Sequence, residues 1–512
     1  MRSPLTANAT AFAASLSIMA VELVAGRIIS RHIGSSLYTW TSVIGVVLAG
    51  IALGNWIGGR LADRYPPAKA LGAVFLLASI CCFSIPPLDQ IVAGWGGLGN
   101  QEWVLRIAGH TLLLFLAPST VLGSIGPLAA KMALDLGWQV GRTVGNVYAW
   151  GAFGSIVGTF LAGFYLIARL GTVAVLVVVG AAMAAGAMFF LRRSPLPYAW
   201  ALVGILIYWT AGPRLGLVRQ AEDYLFLEES QYSYIAITEE EDPPSARAMT
   251  LDHLVHAYVV MDNPTELLYE YENLYAFVTQ QAAQDRRRLT TLFIGGGGFI
   301  FPRYVLATWP GSYVEVAEID PRVTEAAHAA FGLPRDTPMR IHNLDARNHI
   351  DDLLRRKRLG EPVPAFDFVY GDAYNHYAVP FHLTTLEFLQ KIRELMSPQG
   401  VYVQNILEVY DSGLFLGAMI NTIRQCFPYV YAFSPLAAGP SSDSNRRETF
   451  VVAGSLRPLP AQIHHPGNLG SAFRPEHFES LRRRSSGLVL TDDYAPVEQL
   501  VAPVIRRARK GI

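Results

Sequence analysis

The chain has 512 residues, 51% of them hydrophobic and 16% charged, with 41 Lys and Arg against 41 Asp and Glu and a formal net charge of zero. That is too apolar for an ordinary soluble enzyme, and the charge is unevenly shared: residues 1–212 hold 12 basic and 5 acidic side chains, leaving 29 and 36 for the remainder. The acidic rear half argues against nucleic acid as a partner. Cys81 and Cys82 lie adjacent in an apolar run and Cys426 stands alone, which gives neither metal-ligand spacing nor a disulfide framework, so no metal is expected.

Apolar runs at about 8–30, 38–59, 67–88, 107–130, 146–168 and 170–191 each have the length of a bilayer-crossing helix. The expectation is a multi-pass α-helical membrane domain over residues 1–213, with the lipid bilayer as its partner. Glu22 inside the first run, and the runs that follow it, argue against a cleaved secretory signal. Arg60, Arg64 and Lys69 follow the second run, Lys131 and Arg142 the fourth, and Arg192 and Arg193 the sixth, so the N-terminus is expected on the cytoplasmic side of an inner membrane. A seventh run, 198–211, lies between Pro195 and Pro213 and carries Trp200 and Trp209. It reads either as a short crossing or as a helix lying in the interface. Glu22 and Arg27 share the first run; they read either as part of a substrate or proton path or, the expectation favoured here, as a structural ion pair. Small residues in GNVYAWGAFGSIVGTFLAGF indicate close helix packing.

From about Leu215 the pattern changes. The runs YSYIAI and AYVVM suggest a small β-rich subdomain over 214–265. Over 266–512 strands and helices alternate: LTTLFIG, YVEVAEID, MRIHNLD, FDFVYGD and GVYVQNI each precede a helical pattern. Five such units predict a doubly wound α/β sheet whose ligand lies beyond the carboxyl ends of its strands.

Those ends carry the candidate site. Gly295, Gly296 and Gly297 let backbone approach a ligand at a helix N-terminus. Glu318, 23 residues beyond Gly295, stands where such folds set a carboxylate against ribose hydroxyls. Asp345 can accept from an adenine amino group, and Asp372 would face whatever reacts with the bound nucleotide. A carboxylate after a strand is also commonly a helix cap.

The ordered series ESQYSYIAI, LDHLVH, IGGGGFIFPR, AEIDPRV, LDARNHI, FVYGDAYN, VPFHLTTLEF and LTDDYAPVE resembles the spermidine synthase family of polyamine aminopropyltransferases, and the whole chain resembles its membrane-fused members. The resemblance implies a class I methyltransferase-like (Rossmann-like) fold and transfer of the aminopropyl group of decarboxylated S-adenosylmethionine to a diamine such as putrescine. The products would be spermidine and methylthioadenosine, with no tightly bound cofactor, and the chain would form a homodimer. It assigns Glu318 to the ribose, Asp345 and Ala346 to adenine, and Asp372 to the general base. Tyr232, Asp252, His256, Glu270, Tyr374 and Asn375 fall in segments that resemble the amine pocket, as do Tyr269 and Tyr377. Because the donor is made in the cytoplasm, the catalytic half is expected there.

The chain departs from the family at four places. Gly298 stands where the family has an Asp for the aminopropyl ammonium, Ser233 and His256 where it has Gln, and Asn375 where it has a second acid. Two alternatives therefore accompany the aminopropyltransferase reading: another S-adenosyl-dependent transferase such as a methyltransferase, and a non-catalytic membrane sensor or transport component.

Overall fold

Pro127 has no N–H to offer the carbonyl of Gly123 and its ring crowds that carbonyl, so the fourth apolar run is two helices that meet at Ser124 rather than one. In the computed structural model, which describes residues 4–34, 36–95, 103–135, 139–212, 214–215, 224–252, 254–373, 379–440 and 447–507, the front of the chain is helical. Its helices are α1 (Pro4–Ile33), α2 (Leu37–Arg64), α3 (Pro67–Ala93), α4 (Trp103–Gly123), α5 (Ile125–Leu134), α6 (Val140–Leu161), α7 (Thr172–Phe190) and α8 (Leu196–Ala211). A π turn, Ala162–Leu166, and a last helical turn, Ile167–Leu170, extend α6. Among the described residues, six helical stretches are long and apolar enough to cross a membrane, and α8 is a shorter apolar helix of 16 residues.

The small residues act as the sequence suggests. A Cβ on Gly154 or Gly158 of α6 would lie 2.3 Å from the Phe12 carbonyl oxygen or 2.6 Å from that of Leu16, so the two backbones meet there. The expected pair between Glu22 and Arg27 does not form. Five residues apart on one helix, they point to different faces, and Arg27 instead pairs with Glu229 and donates to the carbonyls of Ser230 and Tyr232.

The chain divides into two compact units, Met1–Glu222 with Glu229–Ser233, and Asp223–Glu228 with Tyr234–Ile512. In the second, β1 (Phe226–Glu229), β2 (Tyr234–Glu239), β3 (Ala246–Leu251) and β4 (Leu254–Val260) form a meander; the sequence reading caught β2 and β4 and missed the two between and before them. Then follow α9 (Glu270–Ala283), β5 (Thr290–Ile294), α10 (Ile300–Thr308), β6 (Tyr313–Ala317), α11 (Pro321–Ala330), β7 (Arg340–His342), α12 (Ala346–Arg358), β8 (Phe366–Gly371), α13 (Leu386–Leu395), β9 (Met396–Glu408), α14 (Leu414–Cys426), β10 (Tyr429–Ser434), β11 (Glu448–Ser455), β12 (Ser471–Ala472), α15 (Pro475–Arg484) and α16 (Val497–Arg507).

These strands make one eight-stranded sheet in the order β12-β10-β11-β9-β8-β5-β6-β7. The five parallel strands are those read from the sequence, and the antiparallel β11 between β9 and β10 gives the class I methyltransferase-like order. The order reverses between β5 and β8, which opens a crevice at their carboxyl ends. Ile235, Ile237 and Val259 of the meander share a core with Leu274, Phe299 and Phe331, so the small sheet packs against α9, the segment after β5 and the end of α11.

Candidate active site

The glycine turn after β5 adopts backbone conformations that only glycine takes without strain. Gly295 has φ +95°, and a Cβ there would lie 2.3 Å from the Asp372 carbonyl oxygen. A Cβ on Gly296 would press to 2.9 Å on Glu318 Oε2. The turn thus brings β5, β6 and β8 together at one point.

Glu318, just past β6, is buried and held by backbone: the Gly296 N–H donates to Oε2 at 2.7 Å and the Asp320 N–H to Oε1 at 2.9 Å. A carboxylate has about four lone-pair sites, so two remain for a vicinal diol. Burial raises its pKa to about 7 despite those two bonds. Asp345 both caps a helix and lies at a strand end. Its Oδ1 accepts from the Arg347 and Asn348 N–H groups of α12, and its Oδ2 takes a bond from His382 Nε2 at 2.9 Å. The His382 bond is the main reason its pKa is lowered. Ala346 is the buried first residue of α12.

Asp372 follows β8, its N–H bonded to the Ile294 carbonyl, so the ladder delivers it to the glycine turn. Asn405 Nδ2 of β9 donates to its Oδ1 at 2.8 Å, and the Tyr271 hydroxyl of α9 to its Oδ2 at 2.9 Å. Burial pushes its pKa up, while the two donors pull it back. Tyr275 one turn further on fixes α9 to the end of β8 by donating to the Gly371 carbonyl at 3.1 Å.

Glu272 lies beside Tyr271 and was not anticipated. It is 1% exposed, and its Oε2 has no hydrogen-bond partner. Burial and the nearby Asp372 raise its pKa well above the carboxylate range, against one bond from the Tyr269 N–H. Such a group is costly unless a cation reaches it. Tyr258, Tyr269 and Tyr271 form a continuous row with ring centroids 5.0 and 5.6 Å apart.

The other expected residues are dispersed. Glu270 is exposed at the start of α9. Asp252 sits in the β3–β4 turn at φ +58°, with its Oδ1 accepting from the Tyr234 N–H at 3.0 Å, a bond that closes the meander. His256 is in β4 next to Ala257, whose methyl group would be 2.9 Å from a Cβ on Gly298. Tyr232 is in the segment that belongs to the helical unit. Tyr374, Asn375 and Tyr377 lie outside the described residues.

Of the residues missed, Asn405 follows Gln404, the last residue of β9 to pair with β8, and so lies level with Asp372, where the strand-end rule that found the others could have found it. Tyr271, Glu272 and His382 lie in helical segments and carry no such signal.

No family model matches the chain. It is 28% identical over 221 residues to the polyamine aminopropyltransferase of Vibrio vulnificus (strain CMCP6), which covers 41% of this chain and 69% of that one. The likeness to polyamine aminopropyltransferase 2 of Ralstonia nicotianae (strain ATCC BAA-1114 / GMI1000) is longer, 24% over 405 residues, 71% of this chain and 72% of that one. A 144-residue stretch is 31% identical to the eEF1A lysine and N-terminal methyltransferase of Xenopus laevis, covering 28% of this chain and 20% of that one.

Proposed function

We propose that this chain, a homologue of the polyamine aminopropyltransferases, transfers the aminopropyl group of decarboxylated S-adenosylmethionine to an amine acceptor. The observation that carries the reading is Asp372: a carboxylate held from both sides by Asn405 and Tyr271, raised in pKa, at the point where the glycine turn and Glu318 meet. The likeness that extends over 405 residues, rather than the 144 shared with the methyltransferase, favours aminopropyl over methyl transfer.

Glu318 takes the ribose hydroxyls and Asp345 with Ala346 the adenine, with the glycine turn against the nucleoside. The acceptor enters as a cation. Asp372 takes a proton from the attacking nitrogen, whose lone pair then forms a bond to the aminopropyl carbon next to sulfur. The carbon–sulfur bond breaks, its electrons return to sulfur, and neutral methylthioadenosine leaves. Holding the two reactants in line supplies most of the acceleration, since the sulfonium is already a good leaving group. Glu272 receives a second ammonium of the acceptor or that of the aminopropyl chain, which supplies charge that Gly298 cannot.

The catalytic unit works on the cytoplasmic side, where the donor is made, with α8 lying along the membrane interface. Single cysteines near Arg192 and Arg214, labelled with an impermeant reagent on intact cells, should both be protected.

Incubating purified protein with decarboxylated S-adenosylmethionine and a panel of diamines and longer polyamines tests the chemistry. The reading expects a product heavier by one aminopropyl group. A product heavier by one methyl group with S-adenosylmethionine, or no product with any acceptor, would overturn it.

A further inference from the structure

Away from the nucleoside site, on the β7 edge of the sheet, two imidazoles converge on one carboxylate. Glu315 of β6 is 3% exposed, His349 of α12 is 4% exposed, and His342 ends β7. His349 Nε2 lies 2.7 Å from Glu315 Oε1 and His342 Nε2 3.1 Å from the same oxygen. The two rings stack with centroids 4.2 Å apart and planes 27° apart, and the three ligand atoms lie within 4.8 Å of one another.

Hydrogen bonding accounts for only part of this cluster. His349 bonds to Oε1, and the Tyr313 hydroxyl donates to Oε2 at 2.6 Å. Nε2 of His342 is buried and makes no hydrogen bond, because its approach to Oε1 is close enough but misaligned. A buried ring nitrogen left over beside a carboxylate calls for a third party. Two imidazole nitrogens and one carboxylate oxygen are the donors that zinc and its first-row neighbours take. Ligands about 2.0–2.2 Å from a tetrahedral ion are roughly 3.4 Å from one another, so the two nitrogen–oxygen gaps, 2.7 and 3.1 Å, would open by less than about 1 Å to admit one. The outer support that such sites need is in place: Tyr313 orients the carboxylate, and Arg340 Nη1 donates to the Tyr313 hydroxyl at 3.1 Å. The His342 ring is partly exposed although its Nε2 is buried, so an ion and a fourth ligand enter as that ring swings outward.

We propose that Glu315, His342 and His349 bind a divalent first-row transition cation that clasps β6, β7 and α12. The clasp lies directly behind the adenosine-facing residues: the Glu318 N–H bonds to the His342 carbonyl at 3.0 Å, and α12 begins at the Asp345 cap. Its role is to hold those strand ends, whatever reaction the site performs.

Zinc is the test ion. Full-length protein in detergent, stripped with a chelator, is titrated with zinc against a chromophoric competitor. One site is expected, and His342→Asn, which removes the ligating imidazole while leaving the Glu315–His349 bond, should weaken it by roughly tenfold or more. Glu315→Gln should do the same. X-ray absorption should report two imidazoles and oxygen in the coordination shell. A second group, His32, Asp89 and His110, lies in the helical unit, so His32→Asn with His110→Asn is the control and should leave the site intact. Zinc affinity unchanged in His342→Asn, or lost in the control instead, would overturn the assignment. Thermal unfolding of metal-free His342→Asn should match that of metal-free wild type, which separates ligand loss from misfolding.

Discussion

The Tyr271 hydroxyl donates to Asp372 Oδ2 over 2.9 Å, which ties the helix before the glycine turn to the carboxylate after the fourth parallel strand. The bond stabilises the charged form of Asp372 against burial, which works the other way. Tyr271→Phe removes one such bond, worth about 0.5–1.5 kcal/mol, so the pKa should rise by up to about one unit. A base must be deprotonated to act, so activity is lost as pH falls through that pKa. The acid limb of the kcat/KM profile should therefore move to higher pH in Tyr271→Phe. An unmoved limb would assign that limb to another group.

Asp372→Asn keeps shape and the Tyr271 contact but cannot take a proton. Turnover should fall by about 10²–10⁴-fold, with methylthioadenosine affinity by calorimetry within a few-fold of wild type. Full activity in this variant would remove Asp372 from the base role.

Glu318 carries its own pH dependence. With burial raising its pKa to about 7, Glu318 should be partly protonated near neutral pH, and in the proposed role only its carboxylate would accept from both ribose hydroxyls. Proton and nucleoside compete, so methylthioadenosine should bind more weakly as pH falls from 8 to 6, by at most about tenfold per unit below the pKa. Glu318→Gln should weaken binding at pH 8 by about 1–3 kcal/mol and flatten the profile. A pH-independent wild-type affinity would place the nucleoside elsewhere.

Glu272→Gln separates an amine contact from a structural carboxylate. Removing a buried, underpartnered acid should stabilise the ligand-free protein by about 1–3 kcal/mol while raising the KM for acceptor or donor amine roughly tenfold or more. Because a raised carboxylate pKa gives stability that is lost as pH rises through it, the gain should be larger at pH 8 than at pH 5. Calorimetric affinity for methylthioadenosine, which lacks the ammonium, should not change.

Gly298→Asp tests whether the family's acid can be put back. At φ +63° a Cβ would meet Phe331 at 2.8 Å and Ala257 at 2.9 Å, both in the shared core. The variant should lose about 1–3 kcal/mol of stability and gain no donor affinity. Tighter donor binding would show that the turn can swing outward.

What the sequence made legible follows from periodicity and from strand ends. Long apolar runs gave the six membrane-length stretches, and the parallel strands with Gly295, Glu318, Asp345 and Asp372 at their carboxyl ends gave the crevice. The break at Ser124 was hidden because hydropathy does not register what Pro127 does to a backbone bond four residues earlier. β12 escaped because it has only two residues, and β10 and β11 because the stretch between them is rich in proline, serine and charged residues and no helical pattern follows either. Tyr271 and Glu272 were unreadable for another reason: their register on α9 decides which side chain enters the crevice, and one residue separates buried Glu272 from exposed Glu270.

Aminopropyl transfer is most directly tested with a donor labelled in two places, one isotope in the aminopropyl carbons and another in the S-methyl group. Wild-type protein given this decarboxylated donor and its best acceptor should place the aminopropyl label in the amine and leave the methyl label in methylthioadenosine, in equal amounts. Asp372→Asn should do neither at a comparable rate. Methyl label in the acceptor, or methylthioadenosine released without a labelled amine, would contradict the account.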